Sequence, residues 1–102
     1  MKTIMLVRIV KMEFKTEELE AFQNLFEANK HKIRNVEGCE FLELYQDVNN
    51  KDIFFTYSYW SDEKYLEQYR NSSLFKEIWS STKVKFKAKP AAWSVQKLVS
   101  LK

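Results

Sequence analysis

Seven aromatic side chains crowd the 23 residues from Tyr57 to Trp79. Tyr57 and Tyr59 share one parity of an extended run and Trp60 takes the other. Tyr65 and Tyr69 stand four apart, on one face of a helix, and Phe75 and Trp79 repeat that spacing after a break. Tyrosine suits the wall of a small-molecule site, with a flat apolar ring and a hydroxyl at its rim that can hydrogen-bond a phenolic or quinonoid ligand. The same pattern fits a small core whose tyrosine hydroxyls reach the surface. From the spacing alone both readings stand.

The remaining residue types of chemical interest are sparse. Arg8 interrupts an apolar strand-like run, so if buried it needs a partner, and at a strand edge its head would be solvated. His31 is the single histidine and falls on the expected solvent side of a helix, which leaves no metal constellation. Cys39 is the single cysteine, so neither an intrachain disulfide nor a cysteine zinc site is possible. It is expected at the buried start of a strand. Gly38 is the only glycine, which excludes a glycine-rich phosphate loop. The serines have no visible histidine partner for a hydrolytic triad. Glu40 and Glu43 fall on opposite strand faces, and Glu63 and Glu67 read as a solvated helix face.

Bulk properties narrow the class. The 102 residues fit a single domain, 1–102, with 45% hydrophobic and 30% charged residues. Aromatics reach 16%, more than so short a chain buries easily, which makes a dimer a reasonable expectation. A net charge of +3 gives no argument for nucleic acid or a membrane surface. The lysines of Lys83–Lys89 lack an arginine fork and are expected to be a solvated helix face. No apolar run approaches a membrane span, and the N-terminal run reads as a strand rather than a signal peptide, so the expected location is cytoplasmic.

The elements that must position these residues follow from periodicity. Residues 3–12 carry apolar side chains on both parities and read as a strand with two covered faces: Ile4, Leu6, Val10 and Met12 against Met5, Val7 and Ile9. Leu19, Phe22, Phe26 and Ile33 mark a helical stripe, with Thr16 as the expected cap. Residues 39–48 and 53–60 form a hairpin across the polar turn Asn49–Asp52. Ser61 or Asp62 caps a second helix, which Arg70–Ser73 interrupt. Its continuation places Phe75, Trp79 and Phe86 on one side and stops at Pro90. A last strand covers Ala92–Leu101. Strand, helix, strand, strand, helix, strand is the split βαβ order of an α+β ferredoxin-like domain with a four-stranded antiparallel sheet. Two helices cover one face of such a sheet, yet these strands are apolar on both. The expected cover for the second face is another copy, giving a homodimer through the sheets.

Three stretches in this order, "EGC" after the first helix, "YSYWSDEKYLEQYRNSSLF" and the closing "KPAAWSV", make residues 8–98 resemble the antibiotic biosynthesis monooxygenase domain family, a branch of the dimeric α+β barrel proteins. The resemblance implies a homodimer with one cavity per subunit. In some members that cavity oxidises polycyclic phenols or quinols with molecular oxygen and no cofactor; others have no known activity, and the alternative expectation is a non-catalytic small-ligand-binding or stress-related homodimer. On this reading Tyr69, Tyr57 and Arg8 are the candidate catalytic contacts to a substrate anion. Trp60, Tyr65, Phe75 and Trp79 are the candidate pocket walls, for a small hydrophobic aromatic ligand. The chain departs from the family's pattern in two ways. Quinol-oxidising members often carry a histidine in the second helix where Gln68 or Tyr69 stands here. The Asn, Trp and His of haem-degrading relatives have no counterpart: Tyr69 takes the Trp position, Trp79 the His position, and "VRIVKM" lacks the Asn.

Overall fold

The computed structural model describes residues 5–102. The expected positions Thr3 and Ile4 of the first strand lie outside that range. The elements are β1 (Leu6–Glu13), a 3-10 turn (Thr16–Glu18), α1 (Leu19–Arg34), β2 (Cys39–Gln46), β3 (Ile53–Trp60), α2 (Glu63–Arg70), α3 (Ser73–Lys83) and β4 (Ala91–Gln96). The sheet order is β2-β3-β1-β4, every neighbouring pair antiparallel. This is the α+β ferredoxin-like arrangement, with three helices rather than two because the second expected helix is broken.

Register sorts the strand side chains into two faces. Arg8 lies opposite Ser58 and Ser94, and Val10 opposite Thr56 and Ala92, on the side the helices cover. Val7 faces Tyr59 and Val95, and Ile9 faces Tyr57 and Trp93, on the other side. The helix-covered side carries two separate buried clusters. Met12, Phe14, Phe22 and Phe54 form the first, with Leu19, Phe26 and Phe86 against it. Phe14 is 0% exposed and its ring sits 4.2 Å from Phe22 and 5.8 Å from Phe54. Such aromatic pairs add about 0.5–1.5 kcal/mol each beyond area burial. Cys39, Trp60 and Leu66 form the second cluster, with Val36, Tyr65 and Tyr69 packed on it.

Four local expectations are corrected. Thr16 does not cap α1: it opens the 3-10 turn, and its hydroxyl donates to Asp52 Oδ2 at 2.9 Å instead of accepting a helix N–H. The last helix ends at Lys83, well before Pro90, because the following backbone pairs with the end of β1. Lys15 N donates to Lys85 O at 3.0 Å, Lys87 N donates to Glu13 O at 2.9 Å, and Phe86 forms an isolated bridge with Phe14. The lysines after Lys83 are therefore not a helix face, and Lys87 instead contacts Asp52. Strand β4 stops at Gln96 rather than Leu101, and β2 stops at Gln46 rather than Val48.

Candidate functional site

Between the two clusters the core is open. A cavity of about 310 Å³ separates Phe22 and Phe26 of α1 from Leu66 and Tyr69 of α2. That volume is at the lower end of the roughly 300–1,000 Å³ typical of small-molecule sites. Its floor is the helix-side face of the sheet: Arg8, Val10 and Met12 from β1, Leu42 from β2, Thr56, Ser58 and Trp60 from β3, and Ala91 and Ala92 from β4. Its far wall is Phe75, Ile78, Trp79 and Thr82 from α3.

Local sequence explains how these walls are held. Asp62 Oδ1 accepts from Lys64 N at 2.9 Å and starts α2 at Glu63. The helix ends at Asn71, whose amide donates to Glu67 O at 2.9 Å. Ser72 then accepts from Phe75 N at 3.1 Å, its own hydroxyl donates to Tyr69 O at 2.6 Å, and α3 begins in a new direction. The break allows one continuous aromatic wall to bend around the cavity. Trp60 stacks on Tyr69 at 5.5 Å, Tyr69 meets Phe75 edge-on at 5.2 Å, and Phe75 stacks on Trp79 at 5.8 Å. Trp60 is fixed from below, where its Nε1 donates to Ser58 Oγ at 3.0 Å.

Three titratable groups line the cavity: Arg8, Tyr69 and Arg70. Burial pushes the Tyr69 hydroxyl up to about 12, with Cys39 adding to the shift. Near neutral pH it is a proton donor, not a base. Burial and Cys39 account for that shift with no side-chain hydrogen bond among its causes, so the hydroxyl can donate to a ligand. Burial lowers Arg8 from the usual guanidinium value, the Arg70 guanidinium lowers it further, and Glu67 pulls the other way. Arg8 stays charged regardless. Its Nη1 donates to Ser94 Oγ on β4 at 2.9 Å. His31 is exposed on α1, and no group of three or more potential metal ligands occurs among the described residues.

Of the seven candidate residues, the cavity collects Arg8, Trp60, Tyr69, Phe75 and Trp79. Tyr57 is not among its walls. Pairing opposite Ile9 puts it on the other face of the sheet, 5.5 Å from the Tyr59 ring and 6.0 Å from Tyr45. Tyr65 does not line the cavity either, for it packs over Gly38 beside the second cluster. Sequence reasoning missed Thr56 and Ser58, although their shared parity with Trp60 was a usable signal. It also missed Arg70. A helix-ending arginine next to the Asn71 turn looks solvated until the break is known to fold toward the sheet.

Comparison with known proteins adds the lineage. The family model described as antibiotic biosynthesis monooxygenase matches residues 5–79. Curated proteins give no match. Among solved structures, a conserved protein from Methanosarcina mazei Go1 is 25% identical, with a TM-score of 0.88, over 93% of this chain and 94% of that one. An antibiotic biosynthesis monooxygenase is 16% identical with a TM-score of 0.86, over 92% and 99% of the two chains. PA3566 from Pseudomonas aeruginosa is 21% identical with a TM-score of 0.83, over 97% and 98%. The structural matches below 25% identity speak for the fold, whereas the family model covers most of the chain itself, including β1 to β3 and the wall residues Tyr69 to Trp79. The chain belongs to the antibiotic biosynthesis monooxygenase family.

Proposed function

We propose that this protein is a single-domain monooxygenase that oxidises a small electron-rich aromatic, of the phenol, quinol or anthrone type, with molecular oxygen, and that it works as a homodimer joined through its open sheet faces. The observation that carries the reading is the aromatic cavity with a neutral tyrosine donor and an arginine in its wall. The substrate supplies the electrons. Its acidic C–H or O–H loses a proton to water, and the positive field of Arg8 favours the resulting delocalised anion. Tyr69, a neutral donor, hydrogen-bonds the ring oxygen where that charge collects. The anion passes one electron to dioxygen, the radical pair recombines at a ring carbon that still bears a hydrogen, and the peroxide anion takes back the proton given to water. Loss of water from the peroxide leaves the quinone carbonyl, so one oxygen atom enters the product and the other leaves as water. The walls of Trp60, Phe75 and Trp79 hold the ring flat and keep bulk water from the radical pair.

The test is oxygen uptake by purified, metal-free and flavin-free protein with a panel of anthrones and hydroquinones, each corrected for autoxidation. Saturable uptake that falls by about 10²-fold in Tyr69→Phe is expected, the usual cost of losing one oxyanion donor. Uptake no faster than buffer across the panel would overturn the reaction.

A further inference from the structure

Two guanidinium groups share the lining of one largely apolar cavity, where Arg70 weighs against the charge of the partly buried Arg8. Arg8 and Arg70 both line the space, one from strand β1 in the floor and one from helix α2. Glu67 acts on both but holds neither closely. Among the described residues no carboxylate is ion-paired with Arg8, whose one side-chain hydrogen bond goes to the neutral Ser94 hydroxyl. Arg70 has only Glu67, one turn back on its own helix at 3.8 Å, with both side chains about half exposed. Such surface pairs are weak. Two other cations have closer partners: Lys87 meets the Asp52 carboxylate, and Lys30 meets Glu27 at 2.7 Å.

We propose that the cavity selects an aromatic ligand bearing its own carboxylate, held between the guanidinium groups of Arg8 and Arg70 while the ring lies against Tyr69 and Trp79. This rests on the ligand-binding cavity of the proposed function and names the substrate class that the site prefers. A carboxylate offers two oxygens in one plane, and each planar guanidinium presents paired N–H donors that match them. Bridging converts the repulsion between the two cations into two charge-assisted contacts. The group sits at the rim, because Arg70 is half exposed, and the ring points inward to the apolar walls. The anion that binds here is a permanent one and is distinct from the oxyanion that Tyr69 would meet during oxidation.

Trp60 and Trp79 line the cavity and report its occupancy by fluorescence. The ligands to titrate are 2-naphthoate, its neutral amide 2-naphthamide, and the cation 2-naphthylmethylammonium. The expected result is naphthoate binding at least about tenfold tighter than the amide, as charge-assisted contacts require, with the cation weakest. Arg8→Gln and Arg70→Gln should each reduce that preference severalfold while amide binding persists. Arg8→Lys keeps the charge without the fork and should fall between. Should Arg8→Gln fail to fold, Arg8→Lys and the rim variant Arg70→Gln carry the test. Equal affinity for acid and amide, no binding of either, or a preference untouched by both arginine variants would overturn the inference. Oxygen uptake separates it from the reaction. Turnover of neutral hydroquinones without any carboxylate preference would leave the monooxygenase and remove the clamp. Carboxylate-selective binding with no uptake on 2,5-dihydroxybenzoate would leave the clamp and count against the reaction.

Discussion

Gly38 shows how one residue ties the chain's turn to the site behind it. Its φ of +88° lies in the left-handed region, and an added Cβ would come within 2.3 Å of Tyr65 Cβ. The close approach lets Tyr65 seat over the loop, while the Gly38 carbonyl accepts from Ser61 N at 2.9 Å and locks the end of β3 just before α2 begins. Gly38→Ala should therefore cost more than about 2 kcal/mol, the left-handed penalty of about 1–2 kcal/mol plus the displacement of Tyr65. Urea unfolding would measure it. Tyr65→Ala should not rescue the variant, since it keeps the Tyr65 Cβ at 2.3 Å and leaves the backbone strain; a full rescue would assign the cost to the Tyr65 ring alone. At this scale the sequence was legible where parity decides. The opposition of Tyr57 and Trp60 across the sheet was readable, and so was the polar floor of Thr56 and Ser58. It was illegible where a side chain's direction depends on a neighbouring element's angle. Tyr65 and Tyr69 share a helix face by spacing, yet the first packs on Gly38 and the second bounds the cavity.

Among the elements, the end of β1, the 3-10 turn, the β2–β3 turn and the segment after α3 meet at one carboxylate. Asp52 is 7% exposed, accepts from Thr16 Oγ1, and pairs with Lys87, while its backbone carbonyl accepts from Phe14 N at 2.9 Å. This explains why α3 ends early: the chain after Lys83 is drawn to this junction, not carried to Pro90 by helical periodicity. Long-range pairing of that kind leaves no mark in a local window, and Phe86 looked like one more residue of a helical stripe. The Lys87 and Thr16 hydrogen bonds hold the Asp52 carboxyl below its ordinary 3.8, and the same pairing holds the Lys87 ammonium above 10.5. The acid's contribution is complete above its unfolded value and fades as pH falls through its lowered folded value. The lysine's is complete below 10.5 and fades as pH rises through its raised folded value. Melting temperatures of the native protein and Asp52→Asn should then differ by a nearly constant amount across neutral pH and converge as pH falls through the lowered folded value of Asp52. A gap that persists undiminished at acid pH would assign the loss to packing instead.

Among the described residues, one sheet face packs on the helices and the other is left without cover. That bare face holds Phe41, Tyr57 and Tyr59 in mutual contact, Phe41 stacking on Tyr59 at 4.6 Å, with Trp93 at 47% and Val95 at 42% exposure on the adjoining edge strand. A contiguous aromatic surface of this kind is unusual on a monomer and is the kind of face that a partner would cover. A second copy is the simplest occupant, because a twofold axis through the sheet would set each aromatic cluster against its equivalent. The alternation of apolar residues on both strand parities made this surface legible from the sequence. The cavity was not, because its walls come from all four strands and all three helices and appear only once α2 and α3 bend apart at Asn71. Those walls belong to one chain, so association and ligand binding should separate. Sedimentation equilibrium should find twice the 12.3 kDa chain mass for the native protein. Trp93→Glu, which places a charge on the bare face opposite Ile9, should shift it toward a single chain at micromolar concentration. Naphthoate affinity in that variant should stay within about threefold, since Trp93 is not a cavity wall. A native protein that sediments as one chain would leave the aromatic face to another partner. A dissociated variant that lost naphthoate binding would mean that the second copy shapes the cavity, through the sheet that is its floor.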